Sequence, residues 1–551
     1  MKNWMKQLTE HRFYLLALRA APYAGTLIFA IIVGTMMTRH EMWRDETQAW
    51  LLMKEVSVPW KIFAHIKYEG HPSLWFLIIW PVVHLWENPV GIQIIHLLIA
   101  SGSVFLLFRF APFAWPVRVL IAGSYYFAYE WAVISRNYAI SVLLLFAICT
   151  LYRERWKNFL YIAGLVFLLC HTNIGSIVVS MVLMVMLTVD FAVAYAGKFR
   201  EADRYFKRVM LGFLIIASGI ITGIIQIEPP PDGNFGGPWY LTWNVDKFKQ
   251  SNRMVVNAML PVPGGKLHFW NVNRFFVKEK NEEMPLFNVT ENGFVEISLQ
   301  LTEQDYIKIS IVIVLFTALL FFRRPWCGLQ FLLMAFGVLM FFYARHGGHW
   351  RHHGMIYLVF ITSFWMSYHY DPWRLPWRVP EAILDFLDRH RAWLLLPLLY
   401  FQIWGTCVAY SIDWRETFSH GRDTARWVKE NFPQWRECFF ASNNSTMAGP
   451  FLGYMGGPLT YYTHLGDFAR AVVWGRPHYK HQHGGDYIRD IEQQIQKQQK
   501  DCILVLNAPL PDDRIVEECS LLYSCPDPCI TGEKFWIYLW KYAAPKRDNE
   551  E

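Results

Sequence analysis

Long apolar runs recur through residues 20–410 and constrain the fold more than any other feature of the chain. The runs cover residues 20–37, 72–86, 90–108, 112–129, 137–152, 159–170, 174–195, 209–227, 306–322, 327–343, 355–370 and 393–410. A helix needs about 20 apolar residues to cross a bilayer. The chain is 54% hydrophobic and 18% charged, whereas soluble domains carry about 25% charged residues. The pattern therefore predicts a polytopic α-helical membrane protein with about 11–12 membrane helices.

Basic residues predict the orientation, because Lys and Arg collect on the cytoplasmic side of membrane proteins. The segment before the first run is basic, and that run is too long for a cleaved signal, so we expect a cytoplasmic N-terminus. Further basic clusters lie at residues 153–157, 198–208, 323–324 and 374–391. The predicted external loops are residues 38–71, 130–136, 228–305 and 344–354. Topology of this kind accounts for the net charge of +7 without a nucleic-acid partner.

One apolar run would conflict with this orientation if it crossed the membrane. Residues 72–86 form a short run with Pro81 near the middle. If they crossed the membrane, the basic clusters downstream would fall on the wrong side. We therefore expect this run to enter the membrane without crossing it.

The tail is more polar than the rest and alternates helical and strand patterns. Helices are predicted at residues 421–431 and 486–500, and strands at 438–441, 502–506 and 535–540. Alternation of this kind favours a small α/β domain. We predict a membrane domain at residues 1–410 and a periplasmic α/β domain at 411–551. Five cysteines in the tail allow one or two disulfides if it is exported.

Adjacent carboxylates, Asp45 and Glu46, follow the first apolar run. Burial or a neighbouring like charge can raise the pKa of such a group toward that of a general base. The plainer alternative is a solvated helix start, because acidic residues suit a first helical turn. His71 lies in the next Gly/Pro-rich turn, where either a cavity-lining role or an interfacial turn fits the sequence.

Arg136 is a cation in the external segment 130–136, between apolar runs, with Glu130 before it and Tyr138 after it. Ionisable groups drawn toward a membrane mark functional sites, and a guanidinium binds phosphate through two parallel hydrogen bonds. The alternative is a structural ion pair between Arg136 and Glu130.

The loop 344–354 is rich in Arg and His. It predicts a phosphate-binding cluster, for which the candidates are Arg345, Arg351, His352 and His353. A metal site is the second possibility, although no carboxylate or cysteine accompanies these histidines. The third is an interfacial polar loop. Metal ligands therefore stay unassigned, and a divalent cation stays possible.

These motifs together resemble the GT-C superfamily of polytopic glycosyltransferases, nearest the protein O-mannosyltransferase and aminoarabinose-transferase branch. The resemblance rests on the acidic pair, the His71-Pro72 re-entry and the segment 135–139 (Ser-Arg-Asn-Tyr-Ala), and it covers residues 20–200. It implies transfer of a sugar from a polyprenyl-phosphate donor to a glycan, lipid or protein acceptor. The setting would be the outer face of a bacterial inner membrane, among membrane lipids.

The resemblance also implies residue roles. Asp45 would be the general base, Glu46 would assist or position it, and Arg136 would contact the donor phosphate. The predicted substrate-binding set is His71, Glu130, Arg136, Tyr138, Arg345, Arg351, His352 and His353.

Three other functions stay open at this point. A lipid-linked glycan ligase or polymerase would use a diphosphate donor. Additional cations on the external face would favour this interpretation. A transporter or flippase would carry charged residues at mid-depth in the membrane and a pair of broken helices. The apolar runs contain almost no such charges. A membrane-anchored glycan-binding protein would not need Asp45 or Arg136.

Overall fold

The structure is a computed structural model, and it describes most of the chain. The described residues are 2–233, 239–265, 268–280, 287–289, 295–297, 299–345, 347–373, 381–472, 474–475, 487–510 and 519–543. Parts of the predicted loop 228–305, His346 in the loop 344–354, residues 374–380 of the basic segment and residue 486 of a predicted helix lie outside them.

Helices form most of the described chain. They are α1 Lys2–Arg39, α2 Arg44–Glu55, α3 Ile62–His65, α4 Leu74–Leu85, α5 Val90–Phe110, α6 Trp115–Ala122, α7 Tyr138–Leu151, α8 Phe159–Cys170, α9 Ile174–Ala194, α10 Phe199–Ile227, α11 Val245–Met259, α12 Glu303–Phe321, α13 Pro325–Ala344, α14 Trp350–Met366, α15 Glu381–His390, α16 Leu396–Arg415, α17 Gly421–Asn431, α18 Ser445–Tyr454 and α19 Tyr487–Gln498. A π-helical turn, Tyr126–Glu130, continues α6.

Among the described residues, seven helices are long and apolar enough to cross a membrane. They are Leu16–Arg39, Val90–Phe110, Ile174–Ala194, Asp203–Ile227, Glu303–Phe321, Pro325–Ala344 and Ile383–Arg415. Their outward side chains are largely apolar, as a lipid environment requires. The predicted helix-rich character is therefore confirmed, and the seven apolar helices are compatible with a multi-pass membrane protein.

The helices form a bundle with two distinct ends. At one end, here called the tail end, the loops after α1 and before α7 and α14 meet the C-terminal part of the chain. At the other, the far end, Tyr152 after α7 contacts Tyr370 beyond α14, with 3.0 Å between their hydroxyl oxygens. Shorter segments, namely α6 with the π turn, α7, α8 and α14, also connect the two ends.

Helix α4 starts and finishes at the tail end. Its first amide, at Leu74, donates to the carbonyl of His171 after α8 (3.0 Å), and the Trp80 indole donates to Val56 beyond α2 (2.8 Å). Twelve residues extend only about 18 Å, less than the roughly 30 Å of a hydrocarbon core. The expectation that residues 72–86 do not cross a membrane stays a prediction.

A mixed six-stranded sheet occupies the C-terminal part, in the order β5-β4-β3-β6-β8-β7. Its strands are β3 Phe439–Ser442, β4 Thr460–Tyr462, β5 Asp467–Ala469, β6 Cys502–Leu506, β7 Cys519–Cys525 and β8 Phe535–Trp540, and a separate hairpin pairs β1 Phe287–Val289 with β2 Val295–Ile297. Strand β3 runs parallel to β4 and β6, and the other pairs are antiparallel. Every residue of β6 is buried, as expected of a central strand covered on both faces.

The sheet region packs directly on the bundle through α18 and α2. A methyl group on Gly453 would lie 3.1 Å from Thr47 Cγ2, so the glycine permits the two helices to approach closely. Helix α16 continues to Arg415, past the boundary predicted at residue 410, and the division of the chain there stays a prediction. All nine cysteines are free, so the disulfides that the sequence allowed are not formed.

The predicted long loop 228–305 contains a helix, α11, that the sequence analysis did not identify. Asn244 caps its start by accepting from the Lys247 amide (3.0 Å), and its C-terminal half is buried against the bundle. The Tyr126 hydroxyl donates to the Asn257 carbonyl (2.8 Å). The segment that the sequence predicts to be an external loop therefore packs partly into the tail end.

Candidate functional site

Two guanidinium groups and one carboxylate converge at the tail end. Arg351 Nη2 lies 3.2 Å from Asp45 Oδ2, and Arg136 pairs with the same oxygen. The three side chains expose only 23% (Asp45), 14% (Arg136) and 15% (Arg351) of their surface. The sequence-based candidates Asp45, Arg136 and Arg351 are thus brought together from three distant parts of the chain.

Local structure explains why these three side chains meet. Asp45 occupies the first turn of α2 and Arg351 the first turn of α14, so both project from helix starts at the same end of the bundle. Arg136 lies in the turn between the π-helical segment and α7. That turn is fixed by its neighbours, because the Ser135 amide donates to Glu46 (2.6 Å) and the Asn137 amide group donates to the Thr172 carbonyl (2.6 Å).

His71 and Tyr138 complete what we call the arginine cluster, which consists of Asp45, Arg136, Arg351, His71 and Tyr138. His71 Nε2 lies 3.5 Å from Arg136 Nη2, which fits an unprotonated nitrogen facing the cation. The Tyr138 ring packs edge-on against His71, with 6.5 Å between centroids, and stacks on Trp131 at 6.0 Å. Both predicted residues therefore belong to the same group of side chains, and we call the partly exposed space around these five side chains the recess.

Several polar atoms of the arginine cluster have no protein partner. Among the residues that the structure describes, no group hydrogen-bonds with Tyr138 Oη, His71 Nδ1 or Arg351 Nε. Buried polar atoms are almost always paired in folded proteins. These three atoms are therefore available to hydrogen-bond with a polar ligand or with water.

The electrostatics of the cluster fix the charge states of Asp45 and His71. Burial opposes ionisation of Asp45, but Arg136, Arg351 and Arg44 outweigh it and lower the pKa of its carboxyl to about 2. Burial, together with the charges of Arg136 and Arg351, lowers the pKa of His71 to about 3. At neutral pH the cluster therefore holds two cations, one anion and a neutral imidazole.

Glu46 points away from Asp45 and into the protein. It is fully buried, accepts from the Ser135 amide and pairs with His40 Nε2 at 3.0 Å. His40 Nδ1 in turn lies 2.9 Å from Asp413 at the end of α16. The predicted solvated helix start is wrong for this residue, because the carboxylate binds the turn that carries Arg136.

His40 and Asp413 were not among the sequence-based candidates. Burial alone would lower the pKa of His40, but the charges of Asp413 and Glu46 raise it to about 10. The imidazole is therefore a cation between two carboxylates. Tyr129 donates to the same Asp413 oxygen (2.9 Å), so this network links α1, α2, the π-helical turn and α16.

A second carboxylate, Glu69, lies at the edge of the arginine cluster. Its Oε1 accepts from Gln48 Nε2 (2.8 Å), and Gln48 is bound in both directions to the Val472 backbone (2.8 and 3.1 Å). Burial raises the pKa of Glu69 to about 7. The sequence analysis did not select Glu69, although it precedes His71 in the same turn.

The remaining predicted residues lie around the cluster in different roles. Glu130 is buried and accepts from the Tyr125 hydroxyl (2.9 Å), so the predicted Arg136–Glu130 ion pair is wrong, and Asp45 takes that place. His352 packs edge-on against Tyr138 at 5.8 Å, and its Nδ1 accepts from the His349 amide (2.8 Å). His353 is buried below Gly348. The Arg345 guanidinium lies over Trp239, 5.4 Å from the ring centroid.

Within the part of the chain that the structure describes, no group of three or more His, Cys, Asp or Glu side chains is placed to hold a metal ion. The divalent cation that the sequence allows stays a prediction. Comparison with protein-family models and with curated proteins gives no match for this chain. The argument for a function therefore rests on the chemistry of the arginine cluster.

Proposed function

We propose that this protein is a membrane glycosyltransferase that takes its sugar from a polyprenyl-phosphate donor. One observation carries the proposal: Arg136 and Arg351 converge on a single carboxylate oxygen of Asp45, in a recess with unpaired polar atoms. Guanidinium groups bind phosphate oxygens in the geometry in which they bind carboxylates. A donor phosphate would therefore occupy the place between these two cations.

The same two cations would promote the chemical step. When the bond between the sugar and the phosphate breaks, negative charge develops on the lipid phosphate that leaves. Fixed cations in a poorly solvated recess stabilise such charge more effectively than water does. The apolar helix surfaces around the recess suit the polyprenyl chain, and the unpaired Tyr138 hydroxyl and His71 nitrogen suit sugar hydroxyls.

The far end of the bundle supports the proposed orientation. Its loops carry Arg155, Arg323, Arg324 and Arg391, which the positive-inside rule assigns to the cytoplasm. The tail end would then face the periplasm of a bacterium, with the sheet region outside the inner membrane. A GT-C-like arrangement of about 11–12 membrane helices belongs to this proposal.

The acceptor side of the recess would lie between α2 and the sheet region. The Arg44 amide donates to Glu533 of the sheet region (3.1 Å), and Gln48 contacts Val472. An acceptor reaching Asp45 must therefore pass residues of the C-terminal part. A glycan, lipid or protein hydroxyl would meet the chemical requirement.

The test uses the purified full-length protein in nanodiscs with a panel of polyprenyl-phosphate sugars, following release of free polyprenyl phosphate. We expect consumption of at least one donor, and a loss of more than about tenfold, or ~1.4 kcal/mol, in both Asp45→Asn and Arg136→Ala. The control is Arg155→Ala at the far end, which should retain turnover. Absence of turnover with every monophosphate donor, in a folded protein, would contradict the proposal.

A diphosphate-linked donor is the second candidate function. It is favoured by the presence of two guanidinium groups, Arg136 and Arg351, where a single phosphate could be held by one. A glycan ligase or polymerase would use such a donor. The same assay with polyprenyl-diphosphate glycans decides between the two, since turnover restricted to the diphosphate panel supports the second candidate.

A further inference from the structure

We propose that Glu69 takes the proton from the acceptor hydroxyl, while Asp45 holds Arg136 and Arg351 in place for the donor phosphate. This inference rests on the proposed glycosyl transfer and assigns its proton acceptor. The family resemblance implies that Asp45 is the general base. The proposal assigns that role to Glu69 and leaves Asp45 to position the two arginines.

Hydrogen bonds through Gln48 hold Glu69 in position. Gln48 lies one helical turn after Asp45 on α2, and residues at that spacing project from the same face. Gln48 Nε2 donates to Glu69 Oε1 (2.8 Å), and both ends of the Gln48 amide are held by the Val472 backbone. Glu69 is therefore held beside Asp45 by an anchored side chain, at the edge of the recess that faces the sheet region.

The two carboxylates differ in what occupies their lone pairs. Asp45 Oδ2 receives both guanidinium groups. Glu69 forms no ion pair among the residues that the structure describes, and its carboxyl group accepts a hydrogen bond from the neutral Gln48 side chain. Proton uptake by Asp45 would compete with its contacts to both guanidinium groups, so Glu69 is the better placed of the two.

The pKa values of the two carboxyl groups also favour Glu69 as the proton acceptor. The groups that act on the Glu69 carboxyl are Gln48, Arg136 and Asp45, and burial is the largest influence, raising its pKa to about 7. The pKa of Asp45 is about 2. A general base is most effective when its pKa lies close to the working pH, because a weaker base provides little driving force for the proton.

The reaction balances with no further reactant. The acceptor O–H gives its proton to Glu69, and its oxygen forms the new bond to the anomeric carbon of the sugar. The bond from that carbon to the phosphate oxygen breaks, and its electron pair leaves with the polyprenyl phosphate, whose charge Arg136 and Arg351 stabilise. Glu69 then loses the proton to water, which its partly exposed position allows.

The experiment compares Glu69→Gln, Glu69→Ala and Asp45→Asn as full-length proteins in nanodiscs, with donor affinity and turnover measured separately. We expect Glu69→Gln to lose about a hundredfold or more in kcat with donor Kd within roughly threefold of wild type. Asp45→Asn should instead change donor Kd. Wild-type turnover should rise with pH through a midpoint near 7, and the residual turnover of Glu69→Gln should lack that rise.

Azide provides a readout that a structural role would not change. Azide attacks the anomeric carbon without a proton to lose, so it should restore about tenfold or more of the turnover in Glu69→Ala, as glycosyl azide. It should not do so in Asp45→Asn, because that variant retains Glu69 as the proton acceptor.

Two results would overturn the assignment. Turnover of Glu69→Gln close to wild type would reject Glu69 as the base while leaving glycosyl transfer intact, and so would azide rescue of Asp45→Asn alone. A wild-type protein that consumes no lipid-linked donor would reject both the transfer and the role of Glu69. The two failures are therefore distinguishable in the same set of measurements.

Discussion

Both ends of the helix bundle contain an ion pair surrounded by aromatic rings, and the two pairs differ in how many of the surrounding polar atoms are hydrogen-bonded. At the far end, Asp190 accepts from Arg155 Nε (2.7 Å) and from the Tyr370 hydroxyl (2.9 Å). The Arg155 guanidinium also lies over the Tyr152, Trp156 and Tyr370 rings. We call these residues the far-end cluster.

The two clusters differ in how completely their charges and polar atoms are paired within the cluster. The far-end cluster matches one cation to one carboxylate and closes its hydrogen bonds between its own side chains. The arginine cluster has two cations on one carboxylate and leaves polar atoms of Tyr138, His71 and Arg351 without a partner in the described chain. A buried ion pair is therefore weak evidence of function, and the two clusters differ in the hydrogen-bonding capacity that they leave for a ligand.

The largest contrast is expected in stability and its rescue by anions. Removing one partner of a buried ion pair costs about 3–5 kcal/mol, so Asp190→Asn and Asp45→Asn should both lower the midpoint of thermal unfolding. Pyrophosphate should raise the midpoint of Asp45→Asn, because it replaces the missing charge between two guanidinium groups. It should leave Asp190→Asn unchanged, and equal rescue of both variants would remove the distinction between the two ends.

The next contrast concerns the arginines. Arg136→Ala should lower donor turnover by about 10²–10³-fold, or ~2.7–4 kcal/mol, as removal of a charge-stabilising donor does in other enzymes. Arg155→Ala, the matched change at the far end, should lower the unfolding midpoint and retain turnover per folded molecule. Equal losses of turnover in the two variants would mean that both act through stability.

Two tyrosines provide a finer test. Tyr138→Phe removes a hydroxyl with no partner in the described chain, so it should leave the unfolding midpoint unchanged. Turnover should nevertheless fall by roughly tenfold if that hydroxyl binds the donor. Tyr370→Phe removes a hydrogen bond to Asp190 and should lower stability by about 1 kcal/mol without affecting turnover. Reversed results would contradict the assignment of the recess.

A further prediction concerns pH acting on His40. Because Asp413 and Glu46 raise its pKa to about 10, above the ordinary 6.5, protonated His40 stabilises the folded state fully below pH 6.5. That contribution is lost as the pH rises through about 10. The unfolding midpoint of wild type should fall over this interval by more than that of His40→Gln. Parallel curves would show that the imidazole is neutral in the folded protein.

The sequence predicted the helix-rich bundle and much of the arginine cluster for a common reason. Charges are rare near apolar runs, so Asp45, Arg136 and Arg351 are conspicuous in the sequence. Glu46 and Asp45 look like a carboxylate pair when written side by side. On a helix, however, adjacent residues point in different directions, and Glu46 turns inward to Ser135 and His40.

Other features depend on contacts between distant segments that a single sequence does not reveal. His40 lies between two carboxylates only because α16 brings Asp413 to it. Glu69 is a single acidic residue in a turn, and its position depends on Gln48 and Val472. Helix α11 lies inside a long polar segment, and strands β4 and β5 have three residues each, too few for a periodic pattern.

The most direct test of the central claim is an experimental structure of the protein in nanodiscs with a non-hydrolysable polyprenyl-phosphate sugar analogue. The account predicts that the phosphate lies within hydrogen-bonding distance of both Arg136 and Arg351, with the anomeric carbon toward Glu69. Binding of the phosphate elsewhere, such as beside Arg155 at the far end, would contradict it.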